Sequence, residues 1–402
     1  MKILYCAIDQ IVPGTKGGSV HVTAVAEGLA ALGHDVHVLV TPGDGPMPVT
    51  HGVHWIPMSP PLGSSKLRWL RRGAVRELAA RIRPDVIMER YYNFGGEGIL
   101  SAREIGARAV LEVNAPVIDH PGSPKALVDR ALVVRPMQRR RERICAASDL
   151  IVTPSAAILP PGTPGAKVIE LEWGADTDRF HPGAEGPLPF TRPPGLLAVF
   201  AGAFRNWHGA ANLARAIREL ESRGRTDIGA LFIGDGPELA RVKTEAASSA
   251  SMIFTGAIAH ERMPACLAAA DIGVAPFDLG AHKPLALGFY WSPLKIFEYM
   301  AAGLPVVAPA ADRIPRLVEG GVEGLLYQPA SPVVGLADAL ERLTDTTLRK
   351  RLGAAARERA VRDYSWRAHC EALDRAISGI HNTEEQRHRD ISLKDKEDKG
   401  KH

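Results

Sequence analysis

Short aliphatic runs recur along the chain, each about as long as one buried strand, and between them apolar positions return every three or four residues as in helices. Runs at 3–8, 36–40, 85–88, 109–113, 150–153 and 168–171 read as the buried strands of one sheet. Runs at 197–201, 230–233, 252–255, 272–276, 305–308 and 324–327 read as those of a second. Strands alternating with helical segments are the signature of parallel βαβ units. Between the two series, residues 183–195 are too rich in proline and glycine for either regular element and mark an interdomain linker. The expected organisation is an α/β chain of two doubly wound domains, at 1–182 and 196–363, with further helices at 334–343 and 348–362 and a closing helix at 364–380. Residues 381–402 hold no Phe, Tyr or Trp and almost no aliphatic side chain, and are expected to be disordered. In doubly wound sheets ligands sit at the carboxyl ends of the strands; with two domains the natural site is the cleft between them.

At 402 residues and 46% hydrophobic content, the chain can fill two cores of ordinary size. A net charge of +4 and a pI near 8.9 fall short of a dedicated nucleic-acid binder. Cys6, Cys145, Cys266 and Cys370 are scattered without C-x-x-C spacing, so neither a zinc site nor a disulfide framework is indicated and a reducing cytoplasm fits best. The apolar run at the start is too short for a signal peptide, and no segment reaches the length of a membrane span. The expected protein is soluble or peripheral.

Chemistry concentrates in one string, Ser292-Pro293-Leu294-Lys295-Ile296-Phe297-Glu298-Tyr299-Met300-Ala301-Ala302-Gly303. Ser292 can cap a helix, Pro293 suits its first position and Gly303 can end it. That leaves the amides of Leu294, Lys295 and Ile296 free at the positive end of the helix dipole, with an ammonium among them: a site for phosphate or diphosphate. Glu298, three residues after Lys295, falls on the same face one turn deeper, where a carboxylate suits the paired hydroxyls of a sugar. Together these describe a bound nucleoside diphosphate.

The full string through Pro305-Val306-Val307-Ala308 resembles the donor-site motif of retaining glycosyltransferases of family 4, in which the glutamate-bearing helix leads into a strand reading Gly-x-Pro-Val-Val-Ala. The resemblance covers most of residues 1–380. It implies a GT-B fold of two Rossmann-like domains, the closing helix crossing back onto the first. It also implies a nucleoside-diphosphate sugar as co-substrate, with no cofactor and no metal. Lys295 would then hold the diphosphate and Glu298 the ribose. The family's second glutamate, eight residues earlier and near the transferred sugar, is Tyr290 here.

Other motifs fit the same frame with alternatives open. Gly14-Thr15-Lys16-Gly17-Gly18-Ser19 follows the first strand, with Ser19 expected to cap the next helix; Gly17 and Gly18 lie beside the diphosphate by resemblance, or form a tight turn. Arg205 matches the first cation of the family's diphosphate clamp, and His208 stands where a lysine usually does, giving a weaker, pH-dependent charge. Gly234, in Gly234-Asp235-Gly236, falls on the nucleoside side, and Ile258 packs on the base or in the core. Asn114 stands where many members carry a histidine near the transferred sugar, and His120 follows in the same loop. Glu89 and Arg90 could reach the acceptor or form a surface ion pair. Asp176-Thr177-Asp178 resembles a structural loop of the family rather than a metal-binding Asp-x-Asp. Two basic stretches, Arg135, Arg139, Arg140, Arg141 and Arg143, and Lys66, Arg68, Arg71, Arg72 and Arg76 with Leu67, Trp69 and Leu70, read as solvated faces or as a dock for an anionic membrane or charged acceptor.

The reading is a hexosyltransferase-type enzyme using a nucleotide sugar, with a sugar, lipid-linked or small-molecule acceptor, no nucleic-acid partner and a cytoplasmic location that allows peripheral contact at the inner face of a membrane. Its rivals are a nucleotide-sugar epimerase or hydrolase of the same fold, which consumes donor without acceptor, and a non-catalytic nucleotide-sugar-binding module.

Overall fold

The computed structural model describes residues 1–379 except 15, 65, 66, 68, 69, 94, 121, 122, 133, 134 and 248, with backbone alone at 124 and 125. The expectations for Thr15, for Lys66, Arg68 and Trp69, and for 381–402 lie outside the described residues.

The chain forms two compact units: Met1–Glu172 together with the chain from His369 on, and Trp173–Ala368. The proline-rich stretch 183–195 lies inside the second unit rather than at this division. Each unit is built on one parallel sheet. The first has seven strands, β1 (Lys2–Val12), β2 (Asp35–Pro42), β3 (Val53–Pro57), β4 (Val86–Arg90), β5 (Arg108–Glu112), β6 (Leu150–Thr153) and β7 (Val168–Glu170), in the order β3-β2-β1-β4-β5-β6-β7. The second has six, β8 (Leu196–Ala201), β9 (Ile228–Ile233), β10 (Met252–Gly256), β11 (Ile272–Val274), β12 (Val306–Pro309) and β13 (Gly324–Tyr327), in the order β10-β9-β8-β11-β12-β13. Both orders reverse beside the unit's first strand, which makes each sheet doubly wound and sets a switch point between β1 and β4 and another between β8 and β11.

In the first unit, helix Gly17–Ala31 buries Val22, Val25, Ala26 and Leu29 against the sheet. Its opening differs from expectation: Lys16 is the capping position, no side chain caps it, and Ser19 is buried inside the first turn. Gly17 and Gly18 are therefore the first helical residues, not a turn. The helical segment 366–379 begins in the second unit and enters the first. There it approaches helix Gly17–Ala31 so closely that a Cβ at Gly28 would lie 2.4 Å from Cys370 Sγ, and His34 Nε2 meets Asp374 Oδ1 at 2.9 Å.

In the second unit, Phe200, Phe204 and Phe232 pack ring on ring with centroids 5.2–6.3 Å apart. Helix Ala210–Ser222 adds Leu213, Ile217 and Leu220, and helix Pro332–Arg342 adds Leu336 and Leu340. Each such side chain, wholly removed from water, contributes about 1.5–3 kcal/mol. Phe204, in the loop after β8, is itself part of this core.

Candidate functional site

In the second unit the loop after β8 and the start of helix Leu294–Ala301 meet at the switch point. Two contacts fix the helix there. The Ala201 amide at the end of β8 donates to Tyr299 Oη at 2.7 Å, and the Tyr299 ring lies over β11 so tightly that a Cβ at Gly273 would come within 2.5 Å of it. Gly234 at the end of β9 packs on the β8 loop, where its own Cβ would stand 2.0 Å from Gly202 O; its φ of +128° also suits glycine alone. The Gly234 amide donates to Gly256 O, joining the ends of β9 and β10 two residues before the half-buried Ile258.

Lys295 points into this corner. Its Nζ is buried, has no hydrogen-bond partner among the described residues, and stands 4.1 Å from the Phe200 ring centroid and 5.3 Å from that of Phe277. Burial pushes its pKa down to about 7, against the opposing pull of Glu298. Burial likewise pushes Glu298 up to about 7, against Lys295 and Arg179. Arg205, in the loop after β8, is exposed. Among the described residues the Lys295 ammonium is thus left without a hydrogen-bond partner, at the switch point between β8 and β11.

The local geometry corrects several expectations. Ser292 does not cap the helix: Pro293 occupies that position, and the Ser292 hydroxyl accepts the Trp173 amide at 3.0 Å. Two of the three expected free amides are taken, Leu294 N–H by Ser292 O (3.1 Å) and Ile296 N–H by Pro293 O (2.8 Å). His208 supplies no charge, because burial and then the Lys295 charge push its pKa down to about 3, and its Nδ1–H donates to Ala203 O. Tyr290 is buried and packs on Trp291 with centroids 4.5 Å apart. Its loop is pinned from beneath, since the Arg313 guanidinium donates to the carbonyls of Phe289 and Trp291 and the Asp312 carboxylate accepts the Phe289 amide. Asp176 Oδ1 accepts the amides of Asp178 (3.2 Å) and Arg179 (3.1 Å), which makes Asp176-Thr177-Asp178 a self-bonded turn.

The first unit builds a buried polar network at the carboxyl ends of β1, β4 and β5. Glu112 is its hub: it accepts from Tyr5 Oη, from Arg90 Nη1 at 2.7 Å and from Asn114 Nδ2, and stands 2.6 Å from His21 Nε2. Burial alone would raise the Glu112 pKa; Arg90 first and His21 next hold it well below the usual carboxylate range. Arg90 also faces Asp9 at 3.6 Å. Glu89 and Arg90 thus form neither a surface pair nor a pair with each other. Glu89 is buried and accepts the amides of Gly96 (2.6 Å) and Ile99 (2.8 Å) at the start of helix Glu97–Ile105, with burial and the neighbouring Glu97 raising its pKa. His120 is half-buried in the loop after β5. Of the basic stretches, Arg72, Arg76, Arg135, Arg139 and Arg143 are exposed, whereas Arg71 and Arg141 are buried, Arg141 against Asp119 at 2.8 Å. Tyr5, Asp9 and His21 of the network, and Arg313 under the Tyr290 loop, escaped the sequence reading, because nothing local marks a polar residue whose partner lies on another strand.

Two family models match this chain, Glycosyltransferase Family 4 over residues 15–159 and Glycosyl transferases group 1 over residues 195–346. The chain belongs to glycosyltransferase family 4. Among curated relatives, a GDP-mannose-dependent alpha-mannosyltransferase of Corynebacterium glutamicum is 31% identical over 204 residues, 50% of this chain and 45% of the relative. A GDP-mannose-dependent alpha-(1-6)-phosphatidylinositol monomannoside mannosyltransferase of Mycolicibacterium smegmatis is 27% identical over 224 residues, 54% of this chain and 57% of the relative. The matched stretches thus span about half the length of these relatives. Among solved structures, Anabaena HepE in complex with UDP superposes with a TM-score of 0.69 at 18% identity, covering 94% of this chain and 100% of that one. That likeness establishes the GT-B fold of this family 4 chain.

Proposed function

We propose that this family 4 protein is a retaining hexosyltransferase that moves a sugar from a nucleoside diphosphate to a hydroxyl of an acceptor held by the first unit. The observation that carries the reading is the buried Lys295 ammonium at the β8–β11 switch point, with no hydrogen-bond partner among the described residues. Its positive charge, with that of the exposed Arg205, would stabilise the charge that develops on the departing diphosphate. Glu298, one turn deeper, would bind the ribose diol. Asn114, beside the Glu112 hub, would face the transferred sugar. No pair of carboxylates stands out in the sequence as nucleophile and acid, and with the family resemblance this favours front-face substitution over a covalent intermediate.

The first test is thermal stabilisation by nucleoside diphosphates, GDP first because both relatives named above use GDP-mannose, with UDP alongside. A ligand at about a hundred times its Kd adds about 2.7 kcal/mol to stability, which a melting curve resolves. No shift with any nucleoside diphosphate would overturn the reading. Consumption of donor without acceptor would point instead to an epimerase or hydrolase.

For Glu298 the check is a double perturbation. Glu298→Gln should weaken binding of the nucleoside diphosphate, and a 2′,3′-dideoxy analogue should bind the variant hardly worse than the normal ligand does. Full additivity of the two losses in calorimetry would remove the ribose role. Transfer should survive EDTA, because the phosphates meet protein cations and Asp176 is already engaged by its own turn. Loss of activity that manganese restores would refute this.

A lipid-linked acceptor is the favoured class. Helix Pro124–Ala131 leaves Leu127 61% and Val128 40% exposed, Leu132 beyond it is 49% exposed, and Arg130, Arg135, Arg139 and Arg143 are exposed nearby. Apolar side chains among cations suit the surface of an anionic membrane. Among the described residues no helix is long and apolar enough to cross one.

A further inference from the structure

The opposite end of the first sheet carries a second group of chemically active side chains that the proposed transfer does not use. β2 and the edge strand β3 run parallel, and their register sets His37 directly beside His54. Asp35 precedes His37 by two residues and so shares its face. His54 Nε2 stands 2.9 Å from Asp35 Oδ1, and His37 Nε2 stands 3.4 Å from Asp35 Oδ2. The two imidazole rings stack with centroids 4.6 Å apart and planes 20° from parallel, and one ligand atom from each of the three residues lies within 4.8 Å of the others. Asp35 and His37 are half-buried and His54 is exposed, so solvent reaches the group.

These separations matter. Around a tetrahedral zinc ion with bonds of about 2.0–2.1 Å to nitrogen and oxygen, neighbouring ligand atoms sit about 3.3 Å apart. The two contacts to Asp35 already bracket that spacing, so an ion could replace the shared hydrogen bonds with little movement of backbone fixed by the strand pairing. Two imidazoles and one carboxylate are also a donor set that borderline divalent transition metals accept and that magnesium does not favour. Lys2, whose charge is felt at Asp35, turns its Nζ to the Ile82 carbonyl at 3.4 Å.

We propose that Asp35, His37 and His54 form a site for a divalent transition metal of the zinc class, completed by water, that clips the edge strand β3 to β2. Its ligands start β2 and line its edge partner, whereas the polar network of this unit lies at the carboxyl ends of β1, β4 and β5. The metal would therefore act on stability and not on transfer.

The test uses the full chain, stripped with chelator and dialysed free of it, and zinc ion alone as probe. Calorimetry should show binding at one site, and the melting temperature should rise with Zn2+ and not with Mg2+. His54→Gln, at an exposed position that leaves the fold intact, should weaken zinc binding by more than about tenfold, a loss already seen when outer-shell partners of metal ligands are removed. His37→Gln should do the same, while stabilisation by nucleoside diphosphate should persist in both variants. Absence of zinc binding by the wild type would overturn the site. So would binding of undiminished affinity in His54→Gln, because the zinc would then be held by other histidines.

Discussion

Lys295→Met is expected to weaken binding of the nucleoside diphosphate by about 1.5–3 kcal/mol, the range of a charge-assisted hydrogen bond, while raising the melting temperature of the ligand-free protein. The two effects have one origin. With no hydrogen-bond partner among the described residues, the Nζ is compensated by the faces of Phe200 and Phe277 and by the charge of Glu298, which burial outweighs, so the free protein carries the cost of an unsatisfied buried cation. A thioether of similar length removes that cost and with it the attraction for phosphate. The pH dependence follows. Lys295 titrates near pH 7 in the free protein, and an adjacent diphosphate would raise its pKa. Its contribution to affinity is then fully present below about pH 7 and is lost as pH rises through the higher, ligand-bound pKa, with a proton taken up on binding in between. Titrations in buffers of different ionisation enthalpy would read that uptake directly. Unchanged affinity in Lys295→Met, or binding with no proton uptake near pH 8, would remove the lysine from the diphosphate site.

Glu112→Gln should be the more damaging change to the fold, at about 3–5 kcal/mol, because it leaves the buried Arg90 guanidinium without its closest counter-charge. The amide also cannot accept from Tyr5, Arg90 and Asn114 together as the carboxylate does. Since the Glu112 pKa is depressed in the folded protein, its stabilisation is present above the ordinary carboxylate pKa and is lost as pH falls below it. Wild type should therefore lose stability on acidification more steeply than Glu112→Gln. Chemical denaturation at neutral and acidic pH would measure both slopes, and equal slopes would mean that the hub carries no net charge–charge stabilisation.

The sheet framework was legible because buried parallel strands announce themselves as aliphatic runs. Strand 324–327 coincides with β13, and most of the others differ by one to four residues at an end. β3 was missed: Val53-His54-Trp55-Ile56-Pro57 lies at the sheet edge, none of it is fully buried, and it carries no continuous apolar run. Lys295 and Glu298 could be picked out because a helix start encodes its chemistry locally, in consecutive residues. Ser292 was misread for the opposite reason. A serine before a proline suits a cap, but its hydroxyl is committed to Trp173, far away in sequence. The Glu112 hub shows the same limit, since Tyr5, His21 and Arg90 converge on it from three separate elements.

The segment 366–379 has a consequence for how the molecule is made. The first unit is discontinuous in sequence, and its helix Gly17–Ala31 presents a flat spot at Gly28 that Cys370 fills. A ribosome releases Met1–Glu172 early, but the piece that covers this spot follows only after all of Trp173–Ala368 has been synthesised. The second unit, continuous in sequence, can fold as it emerges, whereas the first waits with part of its helix layer open to chaperones and to other nascent chains. Of the two units, the one whose translation begins earlier is the one completed later.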